Sequence, residues 1–467
     1  MRWQVWQTGC GWWPWLAGLL LACAGFAHAQ QSAPSAPASS ASTAGQVEFA
    51  RGVGYVQSPG QAPRILGRGL ELREGDALST AAGATAIIAL RDGTRMTLRP
   101  GTDMVVQQFR YQEGSPNNSL LMQLFAGGLR AITGLVSKNA PDAARLQTRT
   151  ATIGIRGTDF DARLCQGEAC AAESTQLAQS QAARPNTVQA SAKLVATSGE
   201  VAAVDTAGVR RRLVDGGAVY PGDTVETAAG ARGVLAFRDD SRLTLGAATR
   251  FKVDTFVFDE KNPSDGRFLV SLLRGSVRAL TGLIGRANNR NVAFATPTAT
   301  IGIRGTGLDL QCDESCNFFT WLGSIEVAPA GGAAGQNALQ VLEAGQGLFV
   351  SSTGIRALSA PFLDALPRPD TVPVNTQQLF SEAALPPQEE GLYVYVRDGH
   401  IEVATGTQTL HLGRGEAGFA GNDGTTVRPS LLPLFLEFDR MPMPDNPNPM
   451  LQAVLSESLN RSTTLCR

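Results

Sequence analysis

The run Thr150 to Thr158, Thr-Ala-Thr-Ile-Gly-Ile-Arg-Gly-Thr, returns unchanged at Thr298 to Thr306. A run of this length does not recur by chance in an ordinary globular chain. Each copy also closes a longer segment that repeats in the same order, so the chain is a duplication. Gly75-Asp76 is answered by Gly222-Asp223, and the Asp-Gly turn at Arg91 to Thr94 by Arg238 to Ser241. The strand-like stretch Val105 to Tyr111 is answered by Phe251 to Phe258. Gly127 to Leu135, with Leu129-Arg130-Ala131, is answered by Gly275 to Leu283, with Val277-Arg278-Ala279. Two copies with one order of turns and strands must share one fold.

Local chemistry makes that fold β. Ala86 to Leu90 is a short apolar run ended by Asp92-Gly93, whose backbone preferences suit a hairpin. The repeated run opens with β-branched residues and ends Gly-Ile-Arg-Gly-Thr. This predicts a strand entering a tight corner at Gly154, Arg156, Gly157 and Thr158, and again at Gly302, Arg304, Gly305 and Thr306. Arg156 and Arg304 have apolar flanks, which predicts a buried ion pair locking each corner; capture of an anionic ligand is the alternative. Asp76, Asp92, Asp159, Asp223, Asp239 and Asp309 recur as turn-formers or as partners of those arginines.

The chain divides along its composition. Residues 1–29 have the apolar run and the Ala27-His28-Ala29 ending of a cleaved signal peptide. Acylation of Cys23, in an imperfect lipoprotein box, and retention as an uncleaved anchor are the alternatives. Residues 30–45 are Ala/Ser/Pro-rich and form a flexible linker. The copies span 46–170 and 191–357, with a linker at 171–190. A connection follows at 358–390. At 391–428, Gly399 to Val403 matches Gly323 to Val327 and marks a partial third β unit; residues 429–467 form a Pro/Met-rich tail.

A formal charge of −1 at pH 7, without a basic run, excludes an electrostatic nucleic-acid footprint. Export favours two local disulfides, from Cys165, Cys170, Cys312 and Cys316, over a four-thiolate zinc site. Cys466 is left over. Beyond the leader, the histidines are His400 and His411, expected as exposed or satisfied sheet residues. No serine sits in a nucleophile elbow and no glycine-rich loop precedes a helix. The sequence therefore offers no catalytic residue, no metal ligand set and no cofactor site. The polar loops Ser137 to Asn139 and Arg286 to Arg290 occupy equivalent places.

The order Gly-Asp, Asp-Gly hairpin, Gly-x-[Leu/Val]-Arg-Ala and Thr-Ala-Thr-Ile-Gly-Ile-Arg-Gly-Thr resembles the FecR domain family, over roughly 46–170 and 191–357. That resemblance implies an all-β fold of two tandem β-roll or short β-helix domains, envelope-facing and non-catalytic. The best-known members relay a signal from an outer-membrane transporter to a sigma factor through a cytoplasmic anti-sigma region and one membrane span. With the leader at the start of this sequence, a cytoplasmic anti-sigma region is not expected. The expectation is an exported binding or scaffold protein in the periplasm or outside the cell, acting on an envelope protein or cell-wall polysaccharide. It would meet a membrane only if lipidated or uncleaved. The alternatives are a sensor signalling through a separate membrane protein and a self-assembling scaffold built through sheet edges.

Overall fold

A computed structural model describes residues 43–437 apart from 141, 181, 331–337, 364, 387 and 388, and without the side chains of Thr306 and Glu437. The leader with Cys23, nearly all of the 30–45 linker and the tail with Cys466 lie outside the described residues. The described chain is mostly β, in two 15-stranded sheets. Each sheet encloses one apolar cluster, fed by alternating residues such as Leu120, Met122 and Leu124 in the first and Phe268, Val270 and Leu272 in the second.

The two sheets have the same plan, built on strands long enough to serve two layers. In the first, Ser119–Ile132 pairs through its front half with Asp103–Arg110 and Ala144–Gln147. Its rear half pairs with Arg95–Leu98 and with the strand Thr152–Cys165. The second sheet repeats this with Arg267–Leu280, Arg250–Val257, Val292–Ala295, Arg242–Leu245 and Ala299–Cys312. The repeated run does not end its strand. It bends a 14-residue strand from one layer into the next, with Gly157 and Gly305 in the left-handed region at φ 64° and 69°.

A third long strand completes each sheet, and here the two copies differ in connection. In lobe 2 it is Cys316–Pro329, joined to Ala299–Cys312 by a tight hairpin across the Cys312–Cys316 disulfide. In lobe 1 the strand in that place is Gly391–Ala404. Gly154 faces Glu402 and Ile155 faces Ile401, as Gly302 faces Glu326 and Ile303 faces Ile325. The segment 391–428, expected as a partial third unit, thus supplies the closing strands of the first copy. Leu392, Val394, Ile401, Val403 and Leu412 lie in the first core. Lobe 2 is inserted into lobe 1, between Cys165 and Gly391. The sequence match of Gly399–Val403 to Gly323–Val327 is the trace of this equivalence.

The expected 171–190 linker is partly built into the fold. Ala169–Ala178 is a helix, tied by the Cys165–Cys170 disulfide. Asn186 is fully buried and brackets Ala417, accepting from its N–H at 2.8 Å and donating to its carbonyl at 2.9 Å. A polar linker residue is held because it satisfies backbone groups that no strand reaches.

Candidate functional site

At the first corner, Arg156 Nη2 donates to Glu402 Oε2 at 2.9 Å and to Asp142 Oδ1 at 3.2 Å, with its side chain 17% exposed. At the second, Arg304 pairs with Glu326, the counterpart of Glu402, and is 53% exposed. The carboxylate partner is thus shared, while the buried lock expected at both corners is not found at Arg304. The reason is coverage. The first corner lies beside His400 and His411, which Lys193 and Gly216 of lobe 2 cover, whereas at the second corner Arg304 and Val341 are exposed. Thr158 is clasped by Thr133, whose hydroxyl accepts from the Thr158 N–H at 2.8 Å.

The buried ion pairs belong instead to the other repeated arginine. Arg278 forks onto Asp309 with both contacts at 2.8 Å and donates to the Leu366 carbonyl at 2.7 Å. Arg130 forks onto Asp159 at 3.1 and 2.8 Å. Asp159 and Asp309 are therefore partners of Arg130 and Arg278, not of the corner arginines. The remaining repeated aspartates hold turns. Asp92 accepts from the Thr94 N–H and hydroxyl, and Asp239 from those of Ser241. Asp76 and Asp223 accept from the backbone of Arg73 and Tyr220. Burial raises Asp239 above the ordinary carboxylate range against its Ser241 hydrogen bonds.

Between the lobes lies a polar cluster that the sequence did not reveal. Lys193, from lobe 2, donates to Glu416 Oε2 at 3.1 Å and to the His411 carbonyl at 2.9 Å. Arg428 donates to the same carboxylate oxygen at 2.9 Å and to the same carbonyl at 2.6 Å. All three side chains are shielded from solvent. Burial, with the Arg428 charge, brings Lys193 down to about 7 despite the attraction of Glu416; the two cations hold Glu416 low despite its own burial. A lysine between Ala192 and Leu194 reads as an ordinary strand residue, and only its partner from the far end of the chain gives it meaning.

His400 and His411 stack beside this cluster with ring centroids 5.5 Å apart. They are not the satisfied sheet residues expected. Neither ring nitrogen of His400, nor Nδ1 of His411, has a hydrogen-bond partner among the described residues. Burial is the chief cause that lowers both, His411 to about 4 and His400 well below its ordinary value, with the neighbouring cations adding to it. Among the described residues no group of three His, Cys, Asp or Glu side chains is placed to hold a metal ion.

The outer face of lobe 1 carries a groove of about 480 Å³, between Tyr55, Gln57 and Pro63 on one side and Asp103, Val105 and Phe125 on the other. Tyr55 and Phe125 are 47% and 40% exposed. Strand register puts Ala202 and Leu273 at the matching places of lobe 2, with Glu226, Arg250 and Lys252 where lobe 1 has Ser79, Asp103 and Val105. The two lobes thus share an interior and differ on this face.

A duplicated, strand-built module with a glycine–arginine bend and a buried arginine–aspartate fork defines a class of all-β domain repeats. The model of the FecR protein family matches residues 76–175 and 223–326, so the chain carries two FecR regions, one in each lobe. No curated protein sequence matches the chain. Among solved structures, a candidate anti-sigma factor from Parabacteroides distasonis, determined at 1.65 and 2.50 Å, aligns at 16% identity and a TM-score of 0.23. The match covers 29% of this chain and 57% of that one.

Proposed function

We propose that this chain is a non-catalytic, exported protein of the cell envelope that works by binding, with lobe 1 presenting the surface for a protein or cell-wall polysaccharide. The observation that supports this reading is the groove between Tyr55 and Phe125. Two aromatic side chains left in water on one lobe, where its duplicate has Ala202 and Leu273, gain by burial against a partner. The reading also fits the polar residues of the two cores, whose hydrogen-bonding capacity is used to hold the fold. Arg130, Arg278, Asp92 and Asp239 are all engaged internally.

Photo-crosslinking from position 57, at the groove rim, in envelope fractions, paired with sedimentation of the chain with purified cell-wall sacculi, tests this. A specific adduct or co-sedimentation, lost in Tyr55→Ser/Phe125→Ser, is the expected result. Neither signal, or a signal indifferent to the double substitution, overturns it. Fractionation of cells producing the full chain tests export separately.

A further inference from the structure

We propose that the open corner face of lobe 2 docks on the open N-terminal face of lobe 1 in a second copy of this chain, repeating between molecules the contact that joins the lobes within one. This does not depend on the Tyr55–Phe125 groove, which lies on a different face. In the internal contact, lobe 2 brings Lys193, Gly216 and Tyr220 onto His411, Gly413 and Glu416 of lobe 1. A Cβ on Gly216 would strike the His411 ring, and Tyr220 Oη accepts from the Arg414 N–H at 2.7 Å. Lys193 reaches Glu416 as described above.

Both halves of this contact have a duplicate, and neither duplicate is covered among the described residues. Strand register makes Gln46 the counterpart of Lys193 and Arg73 that of Tyr220. Gly69 is the counterpart of Gly216: each donates its N–H back to the matching strand residue, Val47 or Leu194. Gln46, Gly69 and Arg73 are exposed, and among the described residues nothing stands over Gly69. On lobe 2, Val341 is the counterpart of His411, Glu343 of Gly413 and Gln346 of Glu416. All three are exposed, Val341 by 49%, with Leu339 and Leu322 bare beside them.

Laid over the internal contact, the duplicates complement each other. The small Gly69 meets Val341 where Gly216 meets His411. The amides Gln46 and Gln346 replace the Lys193–Glu416 pair, exchanging a buried charge pair for a neutral one suited to a separable interface. Arg73 falls opposite Glu343, so a cation meets an anion where the internal contact has Tyr220 over Gly413. The two faces differ, so the contact is head-to-tail and repeats into a ring or a filament.

Sedimentation velocity of the full chain across a hundredfold concentration range tests this, with circular dichroism melts to verify that each variant is folded. We expect concentration-dependent association. Glu343→Arg should weaken it by roughly tenfold or more, and Arg73→Glu likewise, because each places like charges in contact. The double reversal Arg73→Glu/Glu343→Arg should restore it. A folded monomer at every concentration overturns the proposal. So does an assembly that neither single reversal weakens, which would place the contact on another face, or a double reversal that fails to recover.

Discussion

Lys193 Nζ and Glu416 Oε2 lie 3.1 Å apart, 223 residues distant in sequence, and neither side chain is exposed. Arg428 shares the same oxygen, so one carboxylate holds two cations between the lobes. Replacing Glu416 by Gln leaves both cations buried without their counter-charge. The expected loss is about 3–5 kcal/mol, read as a clear fall in the melting temperature. Lys193→Met in the same assay should cost less, because Arg428 keeps the carboxylate paired.

The repeated arginines should separate by position rather than by motif. Arg278→Ala removes the two-bond fork from the fully buried Asp309 and should cost about 3–5 kcal/mol. Arg304→Ala removes an exposed pair with Glu326 and should change stability by no more than about 1 kcal/mol. Chemical denaturation of both variants beside the parent decides; equal losses would contradict this assignment.

Acid should loosen the seam between the lobes. The folded chain keeps His400 and His411 neutral below the ordinary histidine value of 6.5, His411 down to about 4. Between those values the unfolded chain binds protons that the folded chain refuses. Stability is therefore present above pH 6.5 and is lost as pH falls through about 4, by at most about 1.4 kcal/mol per pH unit for each imidazole. The groups facing the rings are Arg156, Lys193, Arg428 and Glu416. His400→Ser/His411→Val installs the residues lobe 2 has at these places, Ser324 and Val341. Its melting temperature should vary less than the parent's from pH 7 to 4.5.

The two disulfides close loops of five and four residues in sequence separation. Loops so short restrict the unfolded chain modestly, about 2 kcal/mol each on the chain-entropy model. Melts with and without reductant should show that difference. Cys165→Ser should also release the Ala169–Ala178 helix, seen as faster amide exchange across it.

A Cβ on Gly399 would strike the Gly157 carbonyl oxygen, and one on Gly323 would strike that of Gly305. Gly399→Ala must displace backbone as well as adopt φ 87°, whereas Gly157→Ala meets only Lys138 Cγ at ordinary contact distance. The alanine at 157 should cost about 1–2 kcal/mol for its left-handed backbone, and the alanine at 399 more. Equal melting temperatures would show that the close approach is relieved at no cost.

The duplication, the β class and the hairpins were legible because they rest on local chemistry. Gly93 at φ 87° and Asp240 at φ 66° occupy the same turn position in the two copies, as Asp-Gly and Asp-Asp foretell. The partner of the corner arginine was not legible. Glu402 is 246 residues from Arg156, and no periodicity in either segment records that they meet. The same limit hid the Lys193–Glu416–Arg428 cluster. It also made 391–428 read as a unit of its own, since a strand's pattern shows which face is apolar but not which sheet it joins. The exposure of Arg304 has the same origin: identical sequence, different neighbours.

The insertion of one lobe within the other sets the order of events during synthesis. Thr152–Cys165 leaves the ribosome long before Gly391–Ala404, so lobe 1 must wait, its last edge unpaired, while lobe 2 is made. A chain truncated near residue 370 and released should hold a finished second lobe and an unfinished first one. Maturation then runs against chain direction, and a chaperone acting on this protein has most to guard at that waiting edge.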